Sequence, residues 1–261
     1  MELLQRLRDR IGWLHVMRRM QLPVLTRLLR LGPKVRVLDV GCSDGQMAIG
    51  LARKVALMVA CEPSPRVARV PRRPRLVAVR AAGEALPFKA GAFDRVVLSS
   101  VIQMVPDGVA LLREARRVLA ADGLVVLSCP VSYRFIGRLF TTTKTGRRLR
   151  QLWRLPTTLR SFEDELRCRF GTLGPGFIPL EQLQATLKDA GFTLVSWEYS
   201  PRGLGTFFYE VLLLAKYRLG GSLSVAGPAP MLLYPLVWLD RFLPAHSVGC
   251  EVSVAGRPVP A

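Results

Sequence analysis

Between residues 34 and 130 the chain alternates two hydrophobic patterns. Short, nearly continuous apolar runs, VRVLDVG at 35–41, ALMVACEP at 56–63, RLVAVRA at 75–81, FDRVVLSS at 93–100 and GLVVLSC at 123–129, each stop at small or acidic residues. Strands buried on both faces of a sheet read this way. Helical spacing separates them, most clearly over 46–54 and 108–120. Strand and helix in alternation predict a parallel sheet with crossover helices, an α/β doubly wound fold. The alternation stops after Pro130 and resumes with LEQLQATLKDAGF, a helix closed by Gly191, then the strands TLVSWEYS and CEVSVAG.

Other stretches depart from this rhythm and set the domain plan. Residues 1–33 read as an N-terminal amphipathic cap helix, and 34–130 as a ligand-binding core. Residues 131–178, with Lys144, Arg147, Arg148, Arg150, Arg154 and Arg160, read as a basic lid insertion. Residues 179–202 and 250–261 complete the core sheet. Residues 203–249 form an apolar insertion containing FFYEVLLLAKYRL and MLLYPLVWLDRFL. Lys216, Arg218, Asp240, Arg241 and three prolines cut it into pieces shorter than the roughly 20 residues a spanning helix needs. An interfacial hairpin anchored by Phe207, Phe208, Tyr209, Tyr234, Trp238 and Phe242 fits the pattern, and so does extra core or a dimer surface.

Charge narrows the partners. The 261 residues carry 38 Lys and Arg against 19 Asp and Glu, a net charge of +19 that favours anionic partners. An anionic membrane surface suits the apolar insertion. Nucleic acid is the weaker choice, because no RNA-binding module accompanies the charge. The five cysteines are scattered without ligand spacing, so neither a zinc site nor a disulfide framework is expected. With charges throughout the amino terminus, the expected location is cytoplasmic, peripheral on the inner face of the membrane.

The candidate chemistry begins in VLDVGCSDGQ, where a strand runs into a glycine turn and then a helix. Gly41 and Gly45 allow close backbone approach, and the helix N-terminus offers N–H groups to a ligand. The spacing is not GxGxxG, and Asp44 within the turn would repel a pyrophosphate, so a ligand without phosphate fits better. The alternative is a plain strand-to-helix turn. Glu62 ends the next strand, 17 residues beyond Gly45, where a carboxylate accepts ribose hydroxyls. Its alternative is a solvated loop carboxylate. AAGEALPF and FDRVVLSSVIQMVPD follow.

Taken in order, these motifs resemble the class I S-adenosylmethionine-dependent methyltransferases, the large group that includes the ubiquinone and menaquinone C-methyltransferases. The resemblance covers about residues 35–130 and extends more weakly to 180–200. It implies a mostly parallel, seven-stranded, Rossmann-like methyltransferase fold with the lid and apolar hairpin inserted, and S-adenosylmethionine as cofactor. Asp39, Gly41, Cys42, Ser43 and Gly45 would lie under its methionine part, Glu62 with Pro63 at the ribose, and Gly83 and Glu84 beside the adenine. Ser99 and Ser100 would line the face where donor and acceptor meet. The family often has Gly where Ser43 stands and an adenine-binding Asp where Ala82 stands.

Methyl transfer from a sulfonium needs in-line approach and desolvation more than an acid or base. His15 on the N-terminal helix and Tyr133 past the fifth strand are the catalytic candidates; an isolated His on an amphipathic helix is more often a plain surface or packing residue, and Tyr133 reads equally as a structural one. The expected function is methyl transfer to a small, amphiphilic or lipid-linked acceptor, its anionic group on the lid arginines and its tail on the apolar insertion. An RNA methyltransferase, or a non-catalytic binding protein on the same fold, are the competing readings.

Overall fold

A computed structural model of the protein describes residues 16–131, 143–144, 148, 151, 178–218, 239–244, 246–247 and 249–260. In chain order these residues form α1 (Val16–Leu29), β1 (Arg36–Val40), α2 (Gln46–Ala52), β2 (Leu57–Cys61), β3 (Leu76–Val79) and β4 (Phe93–Ser99). Then come α3 (Gly108–Val118), β5 (Leu119–Pro130), α4 (Leu180–Asp189), β6 (Phe192–Tyr199), α5 (Gly203–Arg218) and β7 (Glu251–Pro258).

The strands make one seven-stranded sheet in the order β3-β2-β1-β4-β5-β7-β6. Neighbours from β3 to β5 are parallel, whereas β7 runs antiparallel to both β5 and β6. The doubly wound fold expected from the sequence is therefore present, with one reversed strand. Its order reverses between β1 and β4, which opens a crevice at the carboxyl ends of the strands. The reversal of β7 also brings its first residue, Glu251, opposite Pro130 at the end of β5.

Side-chain alternation divides the core in two. Leu38, Val40, Val96, Leu98, Val125, Leu127, Val252 and Val254 pack on one face with Leu111, Leu112, Leu183 and Leu187 of α3 and α4. Val37, Val97, Val126 and Ala255 face the other side, with Val24, Leu25, Leu28 and Leu29 of α1 and Met47, Ala48 and Leu51 of α2. Each fully buried Leu of this kind contributes about 1.5–3 kcal/mol of transfer free energy. At the carboxyl edge the second face changes character. The positions in phase with Val37, Val97, Val126 and Ala255 are Asp39, Ser99, Ser128, Ser253 and Glu251, and all of them are buried.

The described part of the N-terminal segment packs into the core along one face. Four residues of α1 belong to the core, and Pro23 within the helix is exposed. Gly191 adopts φ +81 and donates its N–H to Lys188 O at 2.9 Å, which closes α4 in a conformation glycine adopts without penalty.

Where 203–249 leaves the sheet, α5 begins in an ion network. Asp240 accepts the N–H groups of Arg202 at 2.8 Å and Gly205 at 3.0 Å. The Arg202 and Arg27 guanidiniums each meet Glu198 Oε2 at 2.6 Å. Among the described residues, no helix is long and apolar enough to cross a membrane.

Candidate active site

A cavity of about 720 Å³ opens at the carboxyl edge of β1, β2 and β4. Small-molecule sites run from about 300 to 1,000 Å³, so it has room for a cofactor and part of a second ligand. Asp39, Gly41, Cys42, Ser43, Glu62, Pro63, Gly83, Glu84, Ser99 and Ser100 all line it. Gly45 does not. It adopts φ +77 behind the turn, where an added Cβ would come within 2.8 Å of Val70, so its conformation shapes the turn. His15 and Tyr133 lie outside the described residues, as do most of the lid and Tyr234 and Trp238. The other histidine, His246, packs on Trp197 with ring centroids 4.0 Å apart.

The glycine turn is tied into the sheet through its own backbone. Its amides do not stand free for a ligand, since Gly41 and Cys42 both donate to Cys61 O at 2.8 and 3.0 Å and Gly45 donates to Cys42 O. Ser43 donates its N–H to Glu62 Oε2 at 3.0 Å, and Ser64 donates to Oε1 at 3.1 Å. The turn therefore aims the Glu62 carboxylate, and each oxygen keeps lone pairs for further donors. Gly41 adopts φ +72, and an added Cβ would meet Val101 at 2.5 Å. A side chain there would collide with protein before it met any ligand. Ser43 holds φ +55, which explains physically why glycine suits that place.

Asp39 sits at the floor, 1% exposed, and its Oδ2 has no hydrogen-bond partner among the described residues. Burial pushes its carboxyl up to about 7, against the opposing pull of Arg18. Burial also raises the Cys42 thiol far above its ordinary range, so this cavity thiol stays protonated. Gly83 fits between Leu111 and Val40, where an added Cβ would lie 2.6 Å from Leu111.

The same cavity has a polar wall that sequence reasoning missed, apart from its serines. Arg18 and Gln21 of α1 line the cavity with Glu251, Ser99 and Ser100. Arg18 hydrogen-bonds the Ser99 hydroxyl and donates to Gln21 Oε1 at 2.9 Å. Gln21 Nε2 donates to Glu251 Oε1, which also accepts the Ser100 hydroxyl at 3.2 Å. Gln103, beyond β4, is buried on the same cavity, and its Oε1 lacks a partner among the described residues. Only period-2 phasing of Ser99, Ser128 and Glu251 could have flagged this cluster, because bonded members such as Gln21 and Glu251 are 230 residues apart.

Residues 38–127 match the protein-family model of a methyltransferase domain. The match takes in about a third of the chain, and over that segment the protein is similar to methyltransferase domains. Over 103 residues the chain is 30% identical to the ubiquinone biosynthesis O-methyltransferase of Xanthomonas campestris pv. campestris, covering 37% of this chain and 43% of that protein. An uncharacterized protein of Methanocaldococcus jannaschii is 26% identical over 112 residues, 43% of this chain and 53% of the relative. The chain spans about half the length of these relatives.

Among solved structures, the cyclase SpnF aligns with a TM-score of 0.60 at 21% identity, covering 97% of this chain and 82% of that one. An S-adenosylmethionine-dependent methyltransferase from Mesorhizobium loti aligns at 0.55 and 14%, covering 91% and 97%. At these identities the likeness is one of fold, and a fold shared by a cyclase and a methyltransferase leaves chemistry to the site.

The cofactor of such a methyltransferase domain is S-adenosylmethionine, and the residues present fit it. An unpartnered buried carboxylate oxygen, Asp39 Oδ2, suits its ammonium group. The glycine turn brings backbone to the cavity wall, and Glu62 is already oriented by two N–H groups.

Proposed function

We propose that the protein transfers the methyl group of S-adenosylmethionine to a hydroxyl of a small amphiphilic, lipid-linked acceptor. The observation that carries this reading is one cavity that gathers two sets of polar groups. Asp39 and Glu62 from the ends of β1 and β2 line it, and so do Arg18, Gln21, Ser99, Ser100 and Glu251. When bound, the cofactor supplies an electrophilic methyl group on a sulfonium.

In this reading Asp39 holds the ammonium of the methionine part and the Glu62 oxygens accept the two ribose hydroxyls. The packing of Gly83 between Val40 and Leu111 lets backbone approach the adenine. The polar wall orients the acceptor oxygen for in-line approach, and the apolar faces of α1 and the sheet keep bulk water away. The O-methyltransferase name of the Xanthomonas relative supports oxygen as the acceptor atom.

A lipid-linked acceptor is supported by the described ends of the apolar insertion. Leu204, Phe207, Leu239, Phe242 and Leu243 are exposed there, with Phe242 at 66%. Together with the +19 charge, they suit a protein lying peripherally on an anionic leaflet. Sedimentation with phosphatidylglycerol liposomes tests this. A salt-resistant bound fraction that disappears in Phe207→Ser/Phe242→Ser supports the reading, and an unaltered protein left in the supernatant at low salt contradicts it. For the activity, incubation with methyl-labelled S-adenosylmethionine and cell extracts should place label in the lipid fraction.

A further inference from the structure

Six arginines, Arg66, Arg69, Arg72, Arg73, Arg75 and Arg80, fall within residues 63–83, a stretch that contains no Asp or Glu. They flank β3, an edge strand whose neighbour in the sheet of described residues is β2 alone. The first two lie on a 3-10 turn, Pro65–Arg69, that leads away from the end of β2. Val67 and Val70 are buried there, while Arg66 and Arg69 are exposed. Arg72 and Arg75 are exposed ahead of β3 and Arg80 just after it, with Arg73 half-buried between them.

The fold gives these charges no carboxylate. Among the described residues none of the six is ion-paired, and Arg80 donates to Pro63 O at 3.0 Å. Charges that guard an edge strand against pairing sit on the strand itself. Here β3 reads LVAV, and Val77 on it is 47% exposed. Like charges gathered this densely repel one another, and an anionic partner offsets that cost.

We propose that this arginine edge is a docking surface for the phosphate headgroups of an anionic lipid leaflet, and that it holds the cavity mouth at that leaflet. The proposal rests on the leaflet reading above and deepens it, assigning the electrostatic contact to one edge of the sheet. Guanidinium groups take phosphate oxygens in pairs, and the exposed Pro65, Ala68, Pro74, Val77 and Ala78 between them suit the boundary between headgroup and acyl chain. A nucleic-acid strand would call for aromatic platforms, and residues 63–83 contain no Phe, Tyr or Trp.

Continuity with the cavity gives the surface its role. Arg66 lines the cavity as well as belonging to the arginine edge. β3 and β6 are opposite edge strands, and β2 and β6 both end at the carboxyl edge of the sheet. The arginines and the exposed apolar residues that follow β6 therefore flank the edge on which the cavity opens. A lipid-linked acceptor enters from the leaflet without crossing bulk water.

The test compares three full-length proteins in sedimentation with phosphatidylcholine vesicles made with and without phosphatidylglycerol. One is unaltered and one is Arg69→Gln/Arg72→Gln/Arg75→Gln. The third, Lys89→Gln/Lys188→Gln/Arg257→Gln, removes the same charge from exposed positions near β4, α4 and β7. A basic residue at an anionic leaflet contributes about fivefold in affinity, equivalent to about 1 kcal/mol, so the arginine triple should bind phosphatidylglycerol vesicles about a hundredfold more weakly. The control triple should lose only a few-fold, and hydrogen exchange over 65–80 should slow when the unaltered protein meets these vesicles. Equal weakening of both triples, or none in the arginine triple, would overturn the proposal. Loss of binding to a single-stranded RNA oligonucleotide with vesicle binding unchanged would make the edge a nucleic-acid surface and overturn it too. An unaltered protein that binds neither vesicle refutes the leaflet reading as a whole. Binding that depends on Phe207 and Phe242 but is the same in the arginine triple refutes this proposal alone.

Discussion

Replacing Glu62 by alanine removes the most direct link between the glycine turn and the ligand. Each carboxylate oxygen accepts one backbone N–H, from Ser43 at 3.0 Å and Ser64 at 3.1 Å, and has capacity for one more donor. Two ribose hydroxyls would use that capacity. A hydrogen bond to a charged group contributes about 1.5–3 kcal/mol, and the half-exposed setting of Glu62 argues for the low end. Losing both should cost about 3 kcal/mol, roughly a hundredfold in affinity at 1.4 kcal/mol per decade.

Glu62→Gln separates the two roles. Its amide keeps one acceptor, but the NH2 must face either the Ser43 or the Ser64 N–H, so one tether is replaced by a clash of donors. An intermediate loss of about tenfold is expected, equivalent to one charged hydrogen bond. Isothermal calorimetry with S-adenosylhomocysteine measures both variants, and circular dichroism confirms the fold. Unchanged affinity in folded Glu62→Ala would refute the ribose assignment.

Three further outcomes follow from the same geometry. Because the buried Asp39 carboxyl titrates at about 7 and the unfolded one near 3.9, apo stability should fall as pH rises between those values, and cation binding below pH 7 should release a proton. S-adenosylhomocysteine affinity should therefore tighten with pH up to about 7 and then level; Asp39→Asn should flatten both profiles in calorimetry and thermal melts, and persistence of the slopes would exclude Asp39 as their source. Gly41→Ala must hold φ +72 and bring its Cβ within 2.5 Å of Val101, so it should lose at least about 1–2 kcal/mol in thermal unfolding, partly recovered by Val101→Ala; full stability in the single variant would return Gly41 to a purely ligand-contact role. Glu198→Ala leaves the nearly buried Arg202 without its carboxylate and should cost about 3 kcal/mol in denaturant unfolding, whereas a change near zero would mean that solvent replaces the pair.

The sheet was legible in the sequence because buried parallel strands announce themselves as apolar runs. All seven strands fall on the runs read at 35–41, 56–63, 75–81, 93–100, 123–129, 193–200 and 250–256, with ends displaced by a few residues. The reversal of β7 was not legible, since an apolar run carries no direction. The residues at the β1 and β2 ends of the cavity were also readable, because Asp39, Gly41 and Glu62 sit at strand ends in a local motif.

The opposite wall depends on contacts across the whole chain. Gln21 meets Glu251 only after α1 has packed under a sheet whose last strand has been inserted. Arg18 and Gln21 fall in the segment read only as an amphipathic helix, and Glu251 in the run read only as the last strand of the sheet. The acceptor of the Gly41 and Cys42 N–H groups was not legible either, because it is the end of β2, whose position is set by the sheet.

The central claim is methyl transfer from S-adenosylmethionine within this cavity. Its most direct test is mass spectrometry of lipid and polar extracts incubated with the purified protein and methyl-labelled S-adenosylmethionine, with Glu62→Ala run in parallel. The account predicts one labelled methyl group on the oxygen of a lipid-fraction molecule, formed stoichiometrically with S-adenosylhomocysteine and strongly reduced in the variant. Tight binding of the cofactor with no labelled product in either fraction would contradict it.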